Sequence, residues 1–300
     1  MKKFTRPCLQ FALVAIFPVV TLAQPETRQN ISPEKKSELK PAEAAPTPFP
    51  YHPIGSWVGK RFIFLPKPKG SESGTYEDFS RAVSHQKYAR RVARVVSADD
   101  SGASAYIEFE MEDDGERLRV FTVANKESVR GMALLDDIEN ARKQWAGKTV
   151  WGKMLMISSY DEQSGAITMT QVKKFGPLKV VDVIPGWDEE KPARFKLETP
   201  DGKQGFVDLN LSGTNVQKEV RHVSRFEDHL LAENPRLKYK WRADVWSAIE
   251  KGQVYPGMTE EQVKMSWGEP DKVTRTAAGE VWTYISGALV FKKGVLSGSQ

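Results

Sequence analysis

The sequence predicts an α+β protein: β-rich, barrel-like regions followed by a small C-terminal ααβββ domain. Three observations predict it. Short runs of β-branched and aromatic residues recur from residue 51 to Gly213, separated by Gly, Pro and Asp-Gly turns. Beyond Ser224 the apolar residues take up helical spacing, with helix caps written into the chain. After Pro270 three strand-like runs return.

The first residues carry Lys2, Lys3 and Arg6, then an apolar run from Leu9 to Leu22, ending in Thr21-Leu22-Ala23 before Gln24. This is the pattern of a signal peptide over 1–23, and the run is shorter than the roughly 20 residues a membrane-spanning helix needs. The expectation is a periplasmic or secreted protein that starts at Gln24 and has no integral membrane segment after cleavage. The single cysteine, Cys8, lies within this leader and away from the cleavage point. A lipoprotein, a disulfide and a thiolate metal site are therefore not expected. The chain has 44 Lys and Arg against 39 Asp and Glu; without the three leader cations the ratio is 41 to 39, about +2. So small an excess argues against nucleic acid as a partner, and Arg90, Arg91 and Arg94 in KYARRVARVV read as a solvated strand edge.

Residues 24–50 hold six prolines among Glu, Lys, Ser and Ala and almost nothing apolar, which predicts a disordered tether with a reach on the order of 30 Å. A β-rich domain with a closing helix is expected over 51–145, its strands at RFIFLP, ARVVSADDSG, AYIEFEMEDDG and RLRVFTVAN. In the third run Tyr106, Phe109 and Met111 break strict alternation. Asp136 is a plausible cap for the helix, with Ile138, Ala141 and Trp145 on one side. Over 146–222 five short strands favour a small barrel, since closure removes exposed edges. Trp57-Val58-Gly59-Lys60 and Trp145-Ala146-Gly147-Lys148 each precede a β run and hint at two related units.

A helical connector is expected over 223–243, opened by a capping box from Ser224 to Glu227. The last domain, 244–300, holds the most fully punctuated helix start in the chain, VYPGMTEEQVKMSWGEP. Thr259 and Gln262 form a capping box, Met258 staples to Val263, Gly268 ends the helix and Pro270 forbids continuation. DKVTRT, EVWTYI and ALVFKKG are the three strands.

Two resemblances follow from these residues. GPLKVVDVIPG with RFKLETPDGKQGFVDLNLS resembles the end of bacterial Src-homology-3-like domains, in which an aromatic groove often binds cell-wall peptides; Phe206 stands where tryptophan is common. Ile249, Gly252, Pro256, Gly257, Met258, Thr259, Val263, Gly268, Pro270, Trp282, Tyr284 and Phe291 resemble the SmpA/OmlA family of bacterial outer-membrane assembly lipoproteins. That resemblance implies a protein partner in the envelope and a role in outer-membrane assembly or maintenance. Small domains of this ααβββ kind also resemble β-lactamase inhibitor proteins, which bind a partner through a concave sheet. Trp282, Tyr284 and Phe291 are the candidate partner-binding residues, as a core or a platform.

Chemistry has few candidates. His222 and His229 flank Glu227 and Asp228, but on a helix they stand about 10 Å apart along the axis, too far to share one metal. His52 lies in a proline-rich entry and His85 in a polar loop. No Gly-rich phosphate loop, His-Glu-x-x-His or Gly-x-Ser-x-Gly is present. No catalytic, metal or cofactor-binding residue is expected. The expectation is a non-catalytic exported envelope protein that engages a protein partner through its C-terminal domain. The alternatives are a cell-wall-binding module that takes peptidoglycan in its central barrel, and a hydrolase with a dispersed site.

Overall fold

The two Trp-x-Gly-Lys stretches make the same turn twice. The computed structural model describes residues 52–102, 104–123, 128–216, 224–277 and 279–299; the expected leader and tether, and His222, lie outside them. Trp57 ends a 3-10 turn (Ile54–Trp57), and Trp145 ends helix Leu135–Trp145. Gly59 and Gly147 follow at φ +83 and +80, where glycine alone is unstrained. Each glycine amide donates to a valine carbonyl, Val95 or Val180, at 2.8 Å. The amide of that valine donates back to the lysine carbonyl, Lys60 at 3.0 Å or Lys148 at 2.8 Å. Both valines stand at a β-bulge.

The duplication extends through the strands. The first set is β1 (Arg61–Phe64), β2 (Thr75–Tyr76), β3 (Val83–Ser84), helix α1 (His85–Tyr88), β4 (Val92–Asp99), β5 (Ser104–Met111), β6 (Arg117–Val123) and β7 (Met132–Leu134). Helix α2 (Leu135–Trp145) leads to β8 (Thr149–Gly152), β9 (Met156–Tyr160), β10 (Ile167–Gln171), β11 (Pro177–Asp188), β12 (Lys191–Glu198), β13 (Gln204–Leu209), α3 (Phe226–His229) and β14 (Leu230–Leu231). The first sheet runs β6-β5-β4-β1-β7 and the second β10-β9-β13-β12-β11-β8-β14. The last five strands of the second sheet follow the order of the first, with an Asp-Gly turn (Asp114-Gly115, Asp201-Gly202) at the corresponding hairpin. The chain is thus a strand-rich α+β fold with a half-barrel sheet.

Several expectations change here. Strand β4 is interior to its sheet, not an edge; Arg91 and Arg94 leave it to pair with Asp113, Asp114 and Glu112. In β5 the buried residues are Ala105, Ile107, Phe109 and Met111 in strict alternation, while Tyr106 lies against Phe121 on the other face. Among the described residues β10 and β14 do not pair, so the second sheet remains open where a closed barrel was expected. Helix α2 does not close the first core. Leu135, Ile138 and Ala141 pack with Val150, Val180 and Phe195 in the second, and Leu134 rather than Asp136 occupies its N-cap. Strand β1 explains the arrangement: Phe62 and Phe64 face the first core, whereas Ile63 and Leu65 face the second. An unbroken apolar run is what a strand covered on both faces requires.

After α4 (Pro235–Lys238), helices α5 (Ala243–Glu250) and α6 (Glu260–Trp267) pack on an antiparallel sheet of β15 (Lys272–Thr276), β16 (Gly279–Tyr284), β17 (Gly287–Lys292) and β18 (Val295–Ser299). The expected three strands are joined by a fourth, β18. The Thr259 box is made: Gln262 accepts from the Thr259 amide at 2.9 Å and Thr259 from the Gln262 amide at 3.3 Å. The Ser224 box is not. Its role passes to Asp228, which accepts from the Arg225 amide at 2.8 Å, and α3 ends after one turn because Leu230 joins β8 as a strand. No described helix is long and apolar enough to cross a membrane.

Candidate functional site

The outer face of the second sheet carries an arginine set over two aromatic rings. Strand period two turns Val183, Phe195 and Val207 toward the core and the next row, Ile184, Arg194 and Asp208, outward. Arg194 meets Asp208 across the hairpin, with Nε to Oδ1 at 2.8 Å and Nη2 to Oδ2 at 2.7 Å. This fork is the strongest geometry an arginine and a carboxylate make. The guanidinium carbon sits 3.6 Å from the Trp187 ring centre and 3.8 Å from that of Phe206. Trp187 reaches this position through a bulge in β11 between Pro185 and Asp188. Gly186 permits the bulge, since a Cβ there would come within 2.9 Å of the Lys191 carbonyl. Tyr160 stands edge-on to Trp187 at 4.8 Å.

The opposite wall comes from the first repeat. The loop after β1 crosses to the second sheet, where Lys69 donates its amide to the Tyr160 hydroxyl (2.7 Å) and its ammonium to the Gln163 carbonyl (2.6 Å). Between the walls lies an open cleft of about 700 Å³, whose lining includes Lys67, Arg90, Tyr160, Glu162, Ile184, Trp187 and Arg194. Smaller hollows continue it toward His85 on one side and Phe206 and Gln204 on the other. Aromatic shelves, flat apolar residues and fixed charges suit the binding of an extended polar ligand.

The sequence candidates fall elsewhere. Trp282, Tyr284 and Phe291 come together, but inside the C-terminal core, at 2, 9 and 1 % exposure, with Trp282 packed on Phe291 at 4.3 Å. Any contact surface of that domain is made by other residues. His85, expected in a polar loop, is buried at the start of α1. Its ring stacks on Tyr76 (4.7 Å) and Nε2 lies 3.2 Å from the Leu65 carbonyl; burial, and then the Lys67 charge, push its pKa below the ordinary histidine value. Glu72 lines the same hollow, with its carboxylate on the Gly70 amide at 2.8 Å. His229 is half-buried and likewise pushed down by burial. Among the described residues no three His, Cys, Asp or Glu gather as metal ligands.

Of the residues around the cleft, the sequence singled out Phe206 for an aromatic groove and Arg90 only as part of a solvated strand edge. Arg194 and Asp208 were accessible too: an Asp-Gly hairpin at Asp201-Gly202 sets their register, and opposite charges across it mark a pair. Lys67 and Arg90 had no such signal. No family model, curated protein or solved structure matches the chain.

Proposed function

We propose that this is a non-catalytic, exported envelope protein that binds a cell-wall ligand in the cleft of its second repeat. One observation supports the reading above the others: the stacked Arg194, Trp187 and Phe206 shelf, which lines an open cleft and the hollow that continues it. The likeness of GPLKVVDVIPG and RFKLETPDGKQGFVDLNLS to Src-homology-3-like domains gives it a second, independent support. Sedimentation of the exported protein with purified peptidoglycan tests it. Wild type should pellet and Trp187→Ala should remain in the supernatant; equal pelleting of both would overturn the reading.

A second reading keeps the protein partner, with a role in outer-membrane assembly or maintenance as the SmpA/OmlA resemblance implies. It is favoured by Ile285, which stands fully exposed (100 %) at the tip of the β16–β17 hairpin. An apolar side chain there has no internal role and suits contact with another protein. A photocrosslinker at position 285 should capture one envelope protein in intact cells, and an uncrosslinked band would overturn this reading.

A further inference from the structure

The second sheet ends on an unguarded edge. Strand β10 is outermost and pairs only with β9 among the described residues. The Asp161 amide donates to the Ala166 carbonyl and the Val172 amide to the Leu155 carbonyl, both at 2.9 Å. The register between these bonds makes Thr168 and Thr170 the residues whose backbone groups bond β9. The amides and carbonyls of Ile167, Met169 and Gln171 therefore point outward, where no described residue meets them.

Other edges are protected. Strand β6, at the corresponding edge of the first sheet, carries Arg117 and Arg119 and is bridged by Phe79. Strand β15 carries Lys272 and Arg275, and β18 is bridged by Thr259. Strand β10 reads ITMTQ and has no charge, proline or bulge, the devices that keep edges from pairing. Ile167 and Met169 share one face with Met156 of β9, at 54, 56 and 52 % exposure.

The two ends of the strand differ in charge. The turn before it holds Asp161 and Glu162, which outnumber Lys69, whose ammonium is on the Gln163 carbonyl. After it come Lys173 and Lys174, which outnumber Glu250; that carboxylate is 3.9 Å from Lys173, while Lys174 donates to the Ser266 carbonyl.

We propose that a second copy of this chain pairs with β10 antiparallel, about a two-fold axis at Met169. Met169 then faces its own copy, and Ile167 faces Gln171 of the other chain. This register engages all three outward residues of each strand, about six new hydrogen bonds, and joins the two exposed apolar rows. It also sets the lysine end of each strand beside the acidic turn of the other, where a parallel pairing would set like against like. The surface is independent of the cleft reading above.

Sedimentation equilibrium of the exported protein from about 1 to 100 μM tests the proposal. Wild type should approach the mass of two chains. Met169→Lys sets two ammonium groups opposite each other at the axis and should raise the dissociation constant at least about tenfold. Met169 is exposed and its backbone groups lie outside the β9 ladder, so the variant keeps its fold, as its urea midpoint at the lowest concentration should show. Cysteines fix the register independently, in a Cys8→Ser background. Oxidation should join Met169→Cys to itself and Ile167→Cys to Gln171→Cys, whereas Ile167→Cys alone and Gln171→Cys alone remain single chains. Facing residues of such a pair lie about 5.5 Å apart between Cα atoms, within disulfide reach. A monomer at every concentration overturns the proposal, as does a dimer that Met169→Lys leaves intact or a different crosslinking pattern. A monomer whose position 169 instead photocrosslinks to an extended segment of another protein overturns it in favour of that chain.

Discussion

Arg90 and Phe175 hold the same backbone position in the two repeats. Both are left-handed, at φ +69 and +58, and each donates its amide to the last residue of its repeat's opening strand, Phe64 at 2.8 Å and Gly152 at 2.6 Å. The following residue in each case, Arg91 or Gly176, accepts from that same strand end. One side chain lines an open cleft and the other fills a core, so the duplication supplied a fixed backbone and the side chain decides whether the junction is open or sealed.

Phe175→Ala should cost about 3–5 kcal/mol, the range for emptying a buried aromatic site. Arg90→Gly should instead add about 1 kcal/mol by removing left-handed strain. Urea unfolding of both variants checks this pair. A loss below about 1 kcal/mol for Phe175→Ala would mean that the second junction is not held by its plug.

Two glycines of the C-terminal region should respond differently to alanine. Gly257 stands at φ +100 with open space where a Cβ would go, so Gly257→Ala meets backbone strain alone, about 1 kcal/mol, close to the loss expected for the Thr259→Ala cap deletion. Gly279 stands at φ +135, and a Cβ there would run into the Phe291 carbonyl oxygen. Because that atom is strand backbone, it cannot yield without breaking the β16–β17 ladder. Thermal melting should therefore show Gly279→Ala to be the most damaging of the three, and an equal effect of all three would refute the clash.

Asp208→Ala removes the counter-charge of a buried guanidinium and should cost about 3–5 kcal/mol. Replacing both partners, Arg194→Met with Asp208→Leu, should recover most of that stability while leaving the shelf without its cation. Chemical denaturation of the single and double variants distinguishes a paired charge from a packing contribution; if the double variant is as unstable as the single, packing around Trp187 and Phe206 is what the arginine supplies.

Acid should weaken the first repeat before the carboxylates titrate. His85 has a folded pKa below its ordinary 6.5, from burial first and the Lys67 charge second, with the Leu65 carbonyl and Glu72 opposing. The unfolded chain therefore takes up a proton before the folded one does. Stability is full above about pH 6.5 and declines as pH falls through that value toward the folded pKa. Urea midpoints at pH 7.5 and 5.5 should differ in wild type and differ less in His85→Gln. An identical drop in both would assign the acid sensitivity to another group, His229 first among them.

Much of the architecture was legible in the sequence because its signals act over a few residues. Asp-Gly hairpins, the Thr259 box and the paired Trp-x-Gly-Lys turns depend on local backbone geometry that the residues themselves dictate. The fate of Trp282, Tyr284 and Phe291 was not legible in the same way, since alternation places three aromatics on one strand face or its partner without saying whether helices cover that face. Only the tertiary structure decided that α5 and α6 do. It also decided the cleft. Lys67 and Arg90 precede Trp187 and Arg194 by about a hundred residues, and no local pattern links them. They meet because Ile63 and Leu65 on the second face of β1 bury themselves in the neighbouring core, which brings the loop after β1 against Tyr160. Strand positions and turns were set by short-range steric and hydrogen-bonding preferences, whereas the site was set by which apolar faces found each other when the two repeats packed.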